Sequence, residues 1–223
     1  MLLNPLYYTE QHLAFAESVR RFTEKEISPF ITEWDEAETF PRELYKKAAD
    51  IGLLGVGFDE NYGGIAGTDA FYTLLASVEL AKCASGGLAA SLLSHTIGTP
   101  PIQHFAQEEL KAEVLPQILS GEKISALAIT EPSGGSDVAA LKTKAVRDGD
   151  NYIVSGEKTF ITSGIRADYY TVAVRTDPNA KGANGISMLL IDAHSEGITK
   201  SKLDKMGWWA SDTAHLHFDN VRV

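Results

Sequence analysis

Apolar residues along this chain change their spacing once, near residues 121–124, and that change limits the folds open to it. Before it they recur at helical intervals: Leu13, Phe15, Ala16, Val19, Phe22 and Ile27 follow the 3.6-residue period. Thr9 is the expected N-cap of that helix, and Pro29 ends or kinks it at Ser28. A second helix is expected over 41–52, starting at Pro41, a favourable first-turn residue. Gly55, Gly57, Gly63, Gly64 and Gly67 make the next stretch a loop. Residues 68–96, rich in alanine and leucine, predict two packed helices broken at Ser85-Gly86-Gly87, and 107–119 predicts another.

After Gly121 the pattern is that of strands. Residues 124–130, 152–154, 159–162, 169–174, 186–191 and 215–218 are short and apolar, aromatic or β-branched, and turn-forming residues bound them. Asp148-Gly149-Asp150-Asn151 is an expected hairpin turn. The expected class is therefore α+β: an all-helical domain over 1–122, then an antiparallel, β-barrel-like domain over 123–223.

Composition narrows the partners. With 20 basic and 30 acidic residues the formal charge is −10, which argues against nucleic acid, whose phosphates favour a basic face. A lone cysteine, Cys83, excludes an intrachain disulfide and any cysteine-based metal site. No run approaches about 18 apolar residues, so no membrane span is expected. Met1-Leu2-Leu3-Asn4-Pro5 has no basic leader, and the cytoplasm is the expected compartment.

The most informative stretch is Ala128-Ile129-Thr130-Glu131-Pro132-Ser133-Gly134-Gly135-Ser136-Asp137-Val138-Ala139-Ala140. Two readings compete. Exposed backbone N–H groups and the hydroxyls of Thr130, Ser133 and Ser136 form a donor-rich concavity for a carbonyl, a phosphate or the edge of a polar heterocycle. Alternatively it is a plain strand–turn connection with Asp137 capping the loop. Neither GxxxxGK[ST] nor GxGxxG occurs here. Elsewhere, Glu131 is expected to satisfy backbone amides rather than act in acid–base chemistry. His215 and His217 share a strand face but lack a third metal ligand. Trp208 and Trp209 suggest packing, Cys83 suits an apolar helix, and the run Glu33, Asp35, Glu36, Glu38 reads as a solvated helix end. Residues 90–97, without charge, read equally as ordinary core or as the wall of an apolar tunnel.

The stretch from Ala128 to Ala140 resembles the signature of the acyl-CoA dehydrogenases position by position. Ile51-Gly52-Leu53-Leu54-Gly55, Glu60-Asn61-Tyr62-Gly63-Gly64, Gly156-Glu157-Lys158-Thr159-Phe160-Ile161-Thr162-Ser163-Gly164 and Lys205-Met206-Gly207-Trp208 resemble the same family, so the likeness covers the whole chain. It implies FAD as cofactor. Leu127, Ile129 and Thr130 would lie along the isoalloxazine ring, and Gly135 and Ser136 would continue toward the ribityl chain and substrate. Ser136 would also hydrogen-bond the thioester region of the substrate, and Phe160, Ile161 and Thr162 would stack on and bond to the flavin. An indole often occupies the Phe160 position in the family, so one N–H donor is missing here, and Leu127 replaces an aromatic found in some members.

The same resemblance implies α,β-dehydrogenation of acyl-CoA thioesters to trans-2-enoyl-CoA, as in fatty-acid β-oxidation. Electrons would pass to an electron-transfer flavoprotein, and the parent would be a homotetramer. The family's catalytic base is a glutamate on a C-terminal helical domain, and no residue in 1–223 matches it. No catalytic residue and no metal site is therefore expected within these residues. Other flavin chemistry on the same fold, or a non-catalytic scaffold, are the alternatives.

Overall fold

The computed structural model describes residues 7–223. The expectation of no leader at Met1 to Pro5 falls outside them. In chain order the helices are α1 (Glu10–Phe22), α2 (Ile31–Glu36), α3 (Glu43–Asp50), α4 (Ala70–Leu80), α5 (Gly86–Leu92), α6 (His95–Gly98), α7 (Pro100–Phe105) and α8 (Glu108–Leu119). The strands are β1 (Ser125–Ala128), β2 (Lys144–Asp148), β3 (Asn151–Thr162), β4 (Tyr169–Arg175), β5 (Ile186–Asp192), β6 (Ile198–Lys202) and β7 (Thr213–Arg222). They form two compact units, each drawn from separate stretches of chain. The helical unit takes the chain through Leu93, then Glu108–Glu122 and Met206–Ser211; the sheet unit takes Ser94–Gln107, Lys123–Lys205 and Asp212–Val223.

In the helical unit Thr9 caps α1 as expected. Its hydroxyl accepts from His12 N–H at 3.3 Å, and His12 Nδ1 accepts from Thr9 N–H at 3.0 Å, so two orphan donors are satisfied reciprocally. His12 Nε2 lies 3.0 Å from Asp69 Oδ1, and Asp69 caps α4 by accepting from Phe71 N–H at 2.9 Å. One pair thus ties the starts of two packed helices. α1 continues into a single wider turn, Thr23–Ile27, before Pro29. The second helix is shorter than the 41–52 expected, because Gly52 takes a left-handed φ of 77°. Part of the acidic run that reads as a solvated helix end folds as α2, where Asp35 accepts from Ala210 N–H at 2.9 Å. The break at Ser85 is confirmed: its hydroxyl accepts from Leu88 N–H at 3.3 Å and starts α5. Gly86 and Gly87 lie under Trp208, and a Cβ on either would come within 2.8 Å of it. Both tryptophans nevertheless remain largely exposed.

In the sheet unit the strand order is β1-β4-β2-β3-β7-β6, with β5 beside β4. The antiparallel expectation needs correction here. β1 pairs with β4 in parallel, as does β2 at Lys144↔Arg175, while the other pairings are antiparallel. The sheet is mixed, and its ladder runs from β1 to β6 without closing. Parallel neighbours need a long crossover, which the intervening β2–β3 hairpin supplies, and residue alternation within a strand carries no sign of that direction. The hairpin itself forms as expected, with Asp148 paired to Asn151 and Gly149 at φ 63°. Val154, Tyr170, Val172, Leu216 and Phe218 fill the core. Among the described residues no helix is long and apolar enough to cross a membrane.

Candidate functional site

The signature stretch leaves β1 as a tight turn. Glu131 N–H donates to Gly134 O at 3.1 Å and Gly134 N–H to Glu131 O at 3.0 Å, with Pro132 and Ser133 between them. Farther along, the Arg175 guanidinium of β4 donates to Ala139 O at 2.7 Å and to Leu141 O at 3.2 Å. Asp137 makes no capping bond to the short turn Val138–Ala140 that follows it. The connection is fixed by Arg175 and Glu131 instead.

Glu131 accepts from Lys142 N–H at 2.6 Å, Thr143 N–H at 2.8 Å and the Lys158 ammonium at 2.9 Å. Lys158 Nζ also donates to Ile129 O at 2.9 Å. The amide-satisfying role expected of Glu131 is therefore observed. Burial pushes its carboxyl up, but the donors of Thr143, Lys142 and Lys158 outweigh that and hold it below the usual carboxylate range. Burial in turn draws the Lys158 ammonium down, and Glu131 limits the fall. The side chains of Lys158 and Glu131 are 0% and 4% exposed, so the pair is dry. Lys158 is the residue that reading the sequence misses. The signal for it is strand alternation, which puts Lys158 on the side of the buried Val154 and so demands a buried counter-charge.

The second segment sits directly beside the first. Thr159 N–H donates to Thr130 O at 2.8 Å. β3 then bulges against β7 between Lys158 and Ile161, and Phe160 takes φ 59° there. A left-handed aromatic is strained by about 1–3 kcal/mol, and it turns the ring outward, 69% exposed. Ile161 points the other way, 2% exposed, so only its main chain is available to a ligand. Leu127, Ile129, Thr130, Gly135 and Thr162 are half-buried, and Ser136 is exposed. A Cβ at Gly135 would lie 3.2 Å from Thr130 Oγ1, so glycine there keeps that hydroxyl uncovered. Among the described residues the hydroxyls of Thr130, Ser133, Ser136 and Thr162 have no hydrogen-bond partner.

Unspent hydroxyls, an outward aromatic face and a glycine-cleared turn form a donor set suited to a flat heterocycle with a polar edge. The structure brings Ile129 and Thr130 to the Lys158–Phe160 segment and Gly135 against Thr130. Leu127 stays in β1, paired with Thr171. His215 and His217 flank Glu157, at 3.9 Å and 3.4 Å. Among the described residues no group of three or more His, Cys, Asp or Glu could hold a metal ion. Cys83 is buried, and burial pushes its thiol up. A groove of about 500 Å³ between α1 and α4, bordered by Leu13, Arg20, Leu74 and Val78, belongs to the helical unit and shares no residue with these segments.

Comparison with known proteins agrees along the chain. A family model described as acyl-CoA dehydrogenase, N-terminal domain, matches residues 9–122, and one described as acyl-CoA dehydrogenase, middle domain, matches residues 126–221. An acyl-CoA dehydrogenase of Bacillus subtilis is 36% identical over 98% of this chain and 57% of its own length. The crystal structure of an acyl-CoA dehydrogenase from Geobacillus kaustophilus superposes with a TM-score of 0.91 at 42% identity, over 97% of this chain and 57% of that one. A glutaryl-CoA dehydrogenase from Mycobacterium smegmatis, solved in complex with FADH2, superposes with a TM-score of 0.85 at 32% identity, over 97% of this chain and 54% of that one. The chain spans about half the length of the curated relatives it matches.

Proposed function

Because this chain belongs to the acyl-CoA dehydrogenase family, we propose that it supplies the helical domain (1–122) and flavin-facing β-domain (123–223) of an enzyme that removes hydrogen from Cα and Cβ of an acyl-CoA thioester, giving a trans-2-enoyl-CoA. Bound FAD supplies the two-electron acceptor. The observation that carries the reading is the junction of the two site segments: the uncovered Thr130 hydroxyl beside the outward Phe160 ring, joined by the bond from Thr159 N–H to Thr130 O. The Thr130 and Thr162 hydroxyls bind the polar edge of the isoalloxazine, and Phe160 covers an apolar face. Leu127, Ile129, the Ile161 main chain, Gly135 and Ser136 complete the contact. Ser136, exposed at the lip of the turn, also donates to the substrate's thioester region.

Among the described residues none is proposed as the base. Glu131, the carboxylate of the turn, is occupied by two amides and an ammonium. The α-proton is accepted by a carboxylate supplied from outside these residues, and electrons leave to an electron-transfer flavoprotein. The parent is a cytoplasmic homotetramer that works in fatty-acid β-oxidation.

Reconstitution of the parent protein with FAD, followed by gel filtration and a visible spectrum, tests the reading. Flavin absorbance co-eluting with protein is expected, and its absence at saturating FAD would overturn it. Ser136→Ala should weaken acyl-CoA binding by about 0.5–1.5 kcal/mol, one hydrogen bond, without loss of flavin.

A further inference from the structure

The buried pair below the turn is positioned to do more than stabilise. Lys158 immediately precedes the Thr159–Thr162 segment, and Glu131 immediately follows Thr130. The ammonium of the first holds the carbonyl of Ile129 at 2.9 Å and the carboxylate of Glu131 at 2.9 Å. The same carboxylate holds the amides of Lys142 and Thr143, where the turn rejoins β2. Gly156 lets that return strand pass close by, since a Cβ there would come within 2.7 Å of the Thr143 Cα. Thr143 Oγ1 then donates to Glu157 O at 3.1 Å, closing the circuit on β3. Beginning, end and neighbour of the turn are thus referred to one nitrogen.

We propose that Lys158 is a positioning residue that sets the turn 129–136 and the bulge 159–162 at a fixed spacing, so that both present one preorganised surface to the flavin. The proposal rests on the cofactor reading above and names the part of the chain that makes it work. A flat ring contacted from two segments requires both at once. A displacement of about 1 Å between such segments is enough to cost on the order of a hundredfold in function. Water reaches neither partner, so nothing substitutes for the ammonium when it is removed. A lysine serves where an apolar residue of equal volume does not, because it has two acceptors to satisfy here, on different sides of the turn.

The test compares Lys158→Met with Val154→Ala, a cavity variant of the same strand whose ladder partners, Ala145 and Val221, lie outside both segments. FAD affinity is measured by fluorescence quenching at a temperature where all proteins are folded. Amide hydrogen exchange is followed without ligand. Lys158→Met is expected to weaken FAD binding by roughly tenfold or more and to speed exchange in 129–136 and 159–162 together. Val154→Ala should lose stability while keeping wild-type affinity and wild-type exchange in both segments. Equal affinities in the two variants, or exchange that quickens in only one segment, overturn the proposal. Failure of the wild-type protein to bind FAD overturns the cofactor reading itself, before any variant is compared; the concerted exchange then decides whether Lys158 couples the two segments.

Discussion

Each unit of this molecule ties distant elements through a carboxylate and a nitrogen donor, His12 with Asp69 and Lys158 with Glu131, and the two pairs live in different media. In the helical unit His12 meets Asp69 at 3.0 Å with the Asp69 side chain 54% exposed. In the sheet unit Lys158 meets Glu131 at 2.9 Å with both side chains in the dry interior. Each pair helps to satisfy backbone amides that would otherwise go unmet: Phe71 N–H in the first, Lys142 and Thr143 N–H in the second. The difference is what happens on loss of a partner. Around Asp69 water can replace the imidazole, whereas around Glu131 only the protein can replace the ammonium. The same topological device is therefore a local cap in one place and a rigid node in the other.

Breaking the sheet-unit pair should have the largest effect. Lys158→Met leaves an unpaired buried carboxylate and should cost about 3–5 kcal/mol in urea unfolding. A loss as small as that of a surface variant would put the two pairs in one class. Neutralising both partners, Glu131→Gln with Lys158→Met, removes the stranded charge and should recover part of the loss, with a coupling of about 0.5–3 kcal/mol in the double-mutant cycle. Strict additivity would show that the two side chains act apart. In the helical unit Thr9→Ala removes only the cap of α1 and should cost about 0.5–2 kcal/mol, with flavin affinity untouched.

Acid sharpens the contrast further. The folded pKa of Glu131 lies below its unfolded value, so its contribution is fully present above the ordinary carboxylate pKa of about 4.3 and is lost as pH falls through the lower folded value. Unfolding midpoints followed from about pH 5 downward should fall more steeply for wild type than for Glu131→Gln. Parallel curves would show that Glu131 is not the group responsible.

How far the sequence discloses this arrangement depends on whether the responsible interaction is local. Thr9, Ser85 and the 148–151 hairpin act within a few residues of themselves, and their positions read directly. The 128–140 signature reads as a motif, yet what fixes it arrives from 27 residues away through Lys158 and 36 residues away through Arg175. Nothing in the motif announces either. β6 escapes periodicity because Ile198-Thr199-Lys200-Ser201-Lys202 carries a single apolar residue and forms only by pairing with β7. α7 is hidden for the opposite reason, since Pro100 and Pro101 look like a break but occupy the first turn of a helix, where the missing N–H costs nothing. At Phe160 the sequence names the right residue but not its left-handed backbone, which the bulge against β7 imposes.

The interleaving of the two units has a consequence for inheritance. Chain passes from one unit to the other at 93/94, 107/108, 122/123, 205/206 and 211/212. A single recombination event between related genes can therefore never exchange one whole unit for its counterpart. A crossover at 122/123, for instance, would pair the Gly86-Gly87 seat of one parent with the Trp208 of the other, and Asp35 of one with the Ala210 amide of the other. Residues 206–211 must therefore coevolve with a helical partner more than a hundred positions upstream. Chimaeras that carry these six residues along with the helical parent should assemble more readily than those cut once.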